Sequence, residues 1–175
     1  IGVAGTHGKT STTSMVTCSF IEAGFDPSIQ VGANLKVLDN TNYRVGDSKY
    51  FVIEACEYCE SYLNFVQRSA IVLNIDNDHL DYFKTFENIK KSFKEYVNHI
   101  TNVLVLNGDD KNVLDLALYT SAKILTFGLS ENNNYYAKNI EFNEQGYPSY
   151  DLYKNKEYVD RISLSILGKH NVLNS

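Results

Sequence analysis

The sequence lacks the features that mark membrane-spanning, secreted and nucleic-acid-binding proteins. No apolar run approaches the length of a bilayer-spanning helix. The three cysteines are an odd number without other secretory features, which favours a reducing compartment. The formal net charge of −5 leaves no excess of lysine and arginine for a nucleic-acid backbone. We therefore expect a cytoplasmic protein with neither a membrane nor a nucleic acid as partner, and the sequence indicates no oligomeric state.

Internal repeats and low-complexity linkers are also missing, so we interpret the 175 residues as one domain. A hydrophobic content of 43% with 21% charged residues is ordinary for a globular domain that buries a sizeable core. Cys56 and Cys59 form one Cys-x-x-Cys motif without a second pair. Zinc or redox chemistry is the alternative there, and we favour small packing residues beside a functional loop. We expect the chain to be one domain of a longer protein.

The first thirteen residues have the pattern of a phosphate-binding loop between a strand and a helix. Ile1–Ala4 is a short apolar run, and the loop Gly5-Thr-His-Gly-Lys-Thr10 leads into a helical pattern. Glycines let successive N–H groups point at one position, and a helix N-terminus adds partial positive charge. In the general motif G-x-x-x-x-G-K-[ST] the first glycine stands where this chain has Val3. A surface turn is the alternative, and the flanking strand and helix favour a nucleoside triphosphate site.

Five apolar, β-rich segments recur along the chain, and most are continuous rather than alternating. They are Ile29–Val31, Tyr50–Ile53, Ala70–Ile75, Val103–Leu106 and Ile124–Phe127. Continuous apolar strands are typical of a parallel sheet that helices cover on both faces. Helical patterns lie between them, including Phe86–Ile100 after the predicted cap Thr85 and a shorter one at Val113–Leu118.

From Tyr135 onward the apolar stretches become shorter and polar turns interrupt them, a pattern that indicates an antiparallel meander. The sequence therefore predicts an α/β fold of the P-loop, doubly wound type. We expect a mainly parallel sheet with helices on both faces and a small antiparallel meander near the C-terminus.

Acidic residues follow the predicted strand Tyr50–Ile53. Glu54 comes directly after it, where P-loop enzymes place an acid that orients a metal ion. A solvated acid at a strand end is the alternative for Glu54. We interpret the next two acids, Glu57 and Glu60, as solvated charges.

A second polar cluster, Asn74-Ile-Asp-Asn-Asp-His-Leu-Asp81, follows the apolar run Ala70–Leu73. Ligands of open α/β sheets bind at the edge to which such strands lead. His79 is a candidate for positioning a second metal ion or the reacting phosphate, although magnesium prefers oxygen ligands. A helix-capping cluster of carboxylates is the alternative.

The third polar cluster is Gly168-Lys-His-Asn-Val-Leu-Asn174. Asn171 and Asn174 are three residues apart and would share one face of a helix. An asparagine amide offers the donors and the acceptor that match the edge of adenine. The alternative is that these asparagines cap a helix.

Together these motifs resemble the central, nucleotide-binding domain of the Mur ligases, the ATP-dependent enzymes that add amino acids to the peptidoglycan precursor. The resemblance covers essentially the whole chain. With His7, the loop resembles the branch that adds L-alanine to UDP-N-acetylmuramate, as do Glu54–Leu63 and Asn74–Phe83. It implies that residues 1–175 are a fragment without the N-terminal uridine-nucleotide domain and the C-terminal domain, able to fold but not to ligate.

The resemblance also implies roles for individual residues. The implied catalytic residues are Lys9, Glu54 and His79. The implied metal ligands are Thr10 and Glu54 for a first magnesium ion, with manganese as a substitute, and His79 for a second. The implied ATP-binding residues are Gly5, Thr6, His7, Gly8, Lys9, Thr10 and Ser11 at the phosphates and His170, Asn171 and Asn174 at the adenine. Several relatives use a carbamylated lysine near the position of Lys94, but the L-alanine branch generally does without it.

The reaction that the resemblance implies has two steps. ATP phosphorylates the muramoyl carboxylate, and the amine of L-alanine attacks the resulting acyl phosphate. Two alternatives stay open, a murein tripeptide ligase with the same Thr-His-Gly-Lys loop and a non-catalytic nucleotide-binding module. A GTPase is disfavoured because the strings Asp-x-x-Gly and Asn/Thr-Lys-x-Asp do not occur.

Overall fold

A computed structural model describes residues 1–175, and its ten strands form a single sheet. The strands are β1 (Gly2–Ala4), β2 (Ser28–Leu35), β3 (Thr41–Arg44), β4 (Phe51–Glu54), β5 (Ser69–Val72), β6 (Val103–Asn107), β7 (Lys123–Gly128), β8 (Tyr135–Phe142), β9 (Pro148–Lys154) and β10 (Glu157–Ser163). The α-helices are α1 (Lys9–Glu22), α2 (Leu80–Phe83), α3 (Phe86–Asn98), α4 (Lys111–Leu114) and α5 (His170–Asn174). Three 3₁₀ segments are Lys36–Leu38, Tyr58–Asn64 and Asp115–Tyr119.

The strand order is β10-β9-β8-β7-β6-β5-β1-β4-β2-β3. All neighbours from β2 through β8 in this order are parallel, whereas β3, β9 and β10 pair antiparallel. The predicted α/β class, the mainly parallel sheet and the C-terminal meander are confirmed. The edge strand β3 was not predicted, because its sequence Thr-Asn-Tyr-Arg is short and polar and gives no apolar signal.

The larger hydrophobic core lies between α3 and one face of the sheet. Ile89, Phe93 and Val97 of α3 are buried in it, as the three- and four-residue spacing predicted. The predicted cap is also present, since the N–H of Asn88 donates to Oγ1 of Thr85 at 3.3 Å. Burial of these side chains stabilises α3 against the sheet.

The opposite face of the sheet carries α1, so helices cover both faces. Ile71 and Val105, which alternate with the core residues of β5 and β6, line a cavity of about 360 Å³ together with Met15 and Phe20 of α1. Farther along, α5 packs Val172 against the meander. No helix in the structure combines the length and apolarity that crossing a bilayer requires.

The topology brings the chemistry-bearing loops to one edge. β1 lies between β4 and β5 and is parallel to both, so the three strands end on the same side. The loop after β1, the acids after β4 and the polar cluster after β5 therefore meet at the carboxyl edge of the sheet.

Candidate nucleotide-binding site

The loop between β1 and α1 needs glycine at two positions. Gly5 and Gly8 have φ angles of +137° and +84°, which side chains rarely adopt. A Cβ on Gly8 would lie 2.5 Å from Oδ1 of Asn174, and one on Gly5 would lie 3.0 Å from Cβ of Leu73. The two glycines thus let the loop curl and let neighbouring segments approach its backbone.

Asn74 fastens this loop to the segment after β5. Its Oδ1 accepts the N–H of His7 at 2.7 Å, and its Nδ2 donates to the carbonyl of His7 at 2.9 Å. Its own carbonyl accepts the N–H of Thr6 at 3.1 Å, and Oγ1 of Thr6 accepts the N–H of Asp76. The imidazole of His7 is exposed and lies 3.6 Å from a carboxylate oxygen of Asp76. Four hydrogen bonds therefore make the two loops one unit.

Lys9 begins α1 and its ammonium group folds back over the loop. Nζ donates to the carbonyls of Gly5 at 2.7 Å and Thr6 at 3.1 Å, and to Oε1 of Glu57 at 3.1 Å. Glu57 is 1% exposed, so its interpretation as a solvated charge is wrong. It follows β4 by three residues and its carboxylate turns inward because Lys9 is there to compensate it. Glu60 is half-buried and accepts a hydrogen bond from Tyr82.

Thr10 and Glu54 form the second contact between α1 and the end of β4. Oγ1 of Thr10 donates to Oε1 of Glu54 at 3.0 Å, and the N–H of Gly32 donates to Oε2 at 2.6 Å. A Cβ at Gly32 would lie 2.7 Å from that Oε2, so only glycine lets β2 approach the carboxylate. Ser11 follows in the first turn of α1 and is half-buried.

The donor set at Thr10 and Glu54 fits magnesium. A hydroxyl and a carboxylate oxygen are hard ligands, and magnesium typically takes one or two protein carboxylates with phosphate and water oxygens for the rest. No group of three or more His, Cys, Asp and Glu side chains is placed to hold a metal ion.

His79 lies at the same edge in a strained backbone conformation, with φ of +53°. Its Nε2 is 3.6 Å from Oε1 of Glu57, and its ring centroid is 4.9 Å from that of Tyr58. The hydroxyl of Tyr58 donates to Asp81 at 3.0 Å, and this hydrogen bond raises the pKa of Tyr58 and keeps the phenol neutral. The expected grouping of His79 and Glu54 at the carboxyl edge with Lys9 is what the structure has.

The three candidates for adenine all lie in α5. Nδ2 of Asn174 donates to Oδ1 of Asn171 at 2.9 Å, so the two asparagines share one face as expected. Nδ2 of Asn171 in turn donates to the carbonyl of Leu167 at 2.7 Å, which leaves its buried amide committed within the protein. His170 and Asn174 line a cavity of about 190 Å³ beside the loop, with Asn107 from the end of β6.

The remaining candidates lie outside this site. Cys56 and Cys59 are both exposed and unbridged, so the packing interpretation is wrong for them. Lys94 lies with Nζ 4.5 Å from the centroid of the Tyr119 ring, in a separate cavity that no phosphate-loop residue lines. The contacts that the sequence did not predict come from Glu57, Asn74 and Gly32. The only sequence signal for Glu57 and Asn74 is their position shortly after a strand that leads to this edge, and Gly32, inside β2, has no such signal.

Comparison with known sequences gives consistent matches along the chain. A family model described as the Mur ligase middle domain matches residues 3–175. The UDP-N-acetylmuramate--L-alanine ligase of Clostridium perfringens is 44% identical over 177 residues, which cover 100% of this chain and 38% of that protein. The chain thus spans 38% of the length of the curated relatives that it matches.

Among the solved structures that match this chain, two superpose equally well. The UDP-N-acetylmuramate-alanine ligase of Thermotoga maritima superposes with a TM-score of 0.85 at 25% identity, covering 99% of this chain and 38% of that one. The UDP-N-acetylmuramate:L-alanyl-gamma-D-glutamyl-meso-diaminopimelate ligase of Neisseria meningitides also gives 0.85 at 26% identity, covering 99% of this chain and 57% of that one. The fold alone therefore does not separate these two activities.

Proposed function

The chain belongs to the Mur ligase family, and we propose that it is the ATP-binding middle domain of a ligase that joins L-alanine to the carboxylate of UDP-N-acetylmuramate in peptidoglycan precursor synthesis. The family match over residues 3–175 confirms the resemblance that the motifs indicated. Identity of 44% to an L-alanine ligase supports this branch over the tripeptide ligase.

One observation carries the catalytic part of the proposal. The two residues that follow Gly8, Lys9 and Thr10, are each paired with a different acid delivered by the segment that leaves β4. A non-catalytic nucleotide-binding module would have no need for two acids at the phosphate end of the site. Phosphoryl transfer needs positive charge and held metal oxygens there, and little covalent work by the protein.

In this proposal the residues of the protein position the substrates, and the covalent bonds that change are those of the substrates. A carboxylate oxygen of the muramoyl group attacks the γ-phosphorus of ATP, and ADP leaves. The amine of L-alanine then attacks the acyl carbon, phosphate leaves and the amine loses a proton. Lys9 and the loop N–H groups would hold the phosphates, and Thr10 and Glu54 would hold magnesium. The bound ion would offset negative charge on the transferred phosphoryl group. His79 would lie beside that group, and His170 and Asn174 would line the base pocket.

The test uses the complete enzyme that contains this chain, with ATP, magnesium and UDP-N-acetylmuramate. We expect L-alanine to be ligated with one ADP and one phosphate formed for each product, whereas the tripeptide L-alanyl-γ-D-glutamyl-meso-diaminopimelate is not. The 175-residue chain alone is expected to bind magnesium ATP without forming product, because a water-excluding cleft in this family needs further domains. Preference for the tripeptide would replace the proposed activity with the recycling one.

A further inference from the structure

Glu57 is the only aspartate or glutamate that the fold buries completely. A carboxylate without water is unfavourable unless a cation and hydrogen bonds compensate it. Its compensation comes from one ammonium group, since Nζ of Lys9 lies 3.1 Å from Oε1 and 2.9 Å from Oε2. Oε2 accepts no well-directed hydrogen bond of its own. Burying the carboxylate of Glu57 is unfavourable and adds nothing to the hydrophobic core. This points to a role for Glu57 in the nucleotide-binding site.

The backbone around Glu57 directs its carboxylate inward. The carbonyl of Glu57 accepts the N–H of Glu60 at 2.8 Å, and Cys59 and Glu60 both have left-handed φ angles, +51° and +54°. His79 is left-handed as well and brings Nε2 to 3.6 Å from the same carboxylate. Two strained turns, one after β4 and one after β5, therefore converge on one buried acid.

Glu54 and Glu57 have different partners and do not compete for one role. Glu54 accepts hydrogen bonds from the hydroxyl of Thr10 and the N–H of Gly32. Because both donors are neutral, the charge of its carboxylate is still available to a cation. Glu57 has an ammonium group on it, and a metal ion there would be repelled by Lys9. The geometry thus suits Glu54 to binding a metal ion and Glu57 to binding Lys9.

We propose that Glu57 is a positioning residue for phosphoryl transfer, which holds the ammonium of Lys9 and the imidazole of His79 on one carboxylate so that both meet the transferred phosphate in fixed geometry. This role rests on the proposed function of the site. Lys9 uses three hydrogen bonds, two of them to the carbonyls of Gly5 and Thr6. When ATP binds, its phosphate oxygens take the place of one of these carbonyls at Nζ of Lys9. The contact with Glu57 is kept, because without the ammonium group Glu57 would be charged and unpaired, whereas a carbonyl is neutral.

The variant Glu57→Gln separates binding from rate. Removing a negative charge beside the phosphates favours binding of a polyanion, whereas loosening Lys9 and His79 lowers the rate. In the complete enzyme we expect kcat to fall by at least about tenfold while KM for ATP rises by no more than about twofold. The matched control is Glu131→Gln, an exposed acid that pairs with Lys138 of β8, for which we expect both constants to stay near the parent values.

A double-mutant cycle with Lys9 tests whether Glu57 acts through the lysine. In Lys9→Ala, adding Glu57→Gln should cause less than about a twofold further loss of kcat, because the ammonium group is gone and only the longer 3.6 Å contact with His79 remains to be lost. If the fold-losses of kcat in the two single variants multiply in the double variant, the proposal is overturned. A kcat for Glu57→Gln within about twofold of the parent value would overturn it as well.

Two further measurements keep the result interpretable. If Glu57→Gln does not fold, Glu57→Asp keeps the charge and lengthens the pair by one methylene, and kcat should fall while the melting temperature stays close to the parent's. An unchanged kcat for that variant would contradict the proposal. If the parent enzyme uses the tripeptide instead of L-alanine, the proposed function fails, but the same cycle read with the tripeptide still decides the role of Glu57.

Discussion

Two clusters of charged side chains in this molecule have the same chemistry but differ in how much water reaches them. At the phosphate loop, Lys9 meets Glu57, whose side chain is 2% exposed. On the meander, Arg161 meets Asp151 at 2.8 Å and Glu141 at 2.5 Å; the side chain of Arg161 is 34% exposed, that of Asp151 16% and that of Glu141 73%. Both clusters pair cations with carboxylates at similar distances, so distance alone does not tell them apart.

The difference lies in what each cluster joins. Arg161 connects the three neighbouring strands of the meander, with a further hydrogen bond to Ser149, and water screens its charges. Glu57 connects a loop and a turn that are far apart in the sequence, and it does so without water. Exposed pairs of this kind contribute little to stability, whereas a buried pair is sensitive to the loss of either partner. Burial of a charge is therefore the better indicator of a functional site in this fold.

The largest effect should come from Lys9→Ala, which breaks the buried pair and removes the phosphate contact. A hydrogen bond to a charged group contributes about 1.5–3 kcal/mol, so ATP turnover in the complete enzyme should fall at least about tenfold. Turnover is measured well below the melting temperature, because the unpaired Glu57 should also lower stability. Lys123→Ala, an exposed lysine at the start of β7, is the control. Normal turnover in Lys9→Ala would show that the buried pair of Lys9 and Glu57 has no role in ATP turnover.

An intermediate effect should come from Asn74→Ala, which leaves Lys9 and Glu57 in place but cuts the two side-chain hydrogen bonds to His7. Each contributes about 0.5–1.5 kcal/mol, so the dissociation constant for magnesium ATP should rise by about tenfold as the loop loses its fixed shape. Titration calorimetry measures this. Asn102→Ala, whose amide bonds Ser69 near the opposite edge, should leave the affinity unchanged. If Asn74→Ala raises the dissociation constant no more than Asn102→Ala does, the hydrogen bonds from Asn74 are not needed to hold the loop in its binding conformation.

The smallest effect should come from Asp151→Asn on the meander. Hydrogen bonds from Arg161 and Asn139 hold the pKa of Asp151 below its ordinary value. A lowered pKa in the folded state means that the carboxylate stabilises the fold above the ordinary pKa of aspartate and loses this contribution as the pH falls through the lowered value. The variant should melt slightly below the parent at pH 7, and the gap should close in acid. ATP turnover should be unchanged; a change would show that this cluster also serves the site.

Local patterns were sufficient for much of the fold and for proposing the central residues of the candidate site. The helix α3 was predictable because its buried face is a repeat within thirteen residues, and the loop was predictable because its glycines, Lys9 and Thr10 all lie within residues 5–10. Glu54 was predictable from its place at the end of an apolar strand. In each case the signal and the residues that answer it lie within one segment.

Contacts between distant segments were not predictable. The burial of Glu57 depends on Lys9, 48 residues earlier, and the clamp of Asn74 on His7 spans 67 residues. An acid in a polar stretch has the same local pattern whether water or a lysine compensates it. The pairing of β3 with β2 likewise depends on a turn that sequence propensity does not reveal.

The central position of β1 has a consequence for how the protein is made. Gly2 pairs with Ile53 on one side and with Ala70 on the other, and Oγ1 of Thr12 donates to the carbonyl of Asn174, 162 residues later. At about 5–20 residues per second, a ribosome needs roughly ten to thirty seconds to make that interval. Of the ten strands described, β1 is made first and stays unpaired until β4 and β5 follow, and parallel pairing over such separations is slow. In a nascent chain, the appearance of nucleotide binding would accordingly report the closing of the whole sheet rather than the synthesis of the loop.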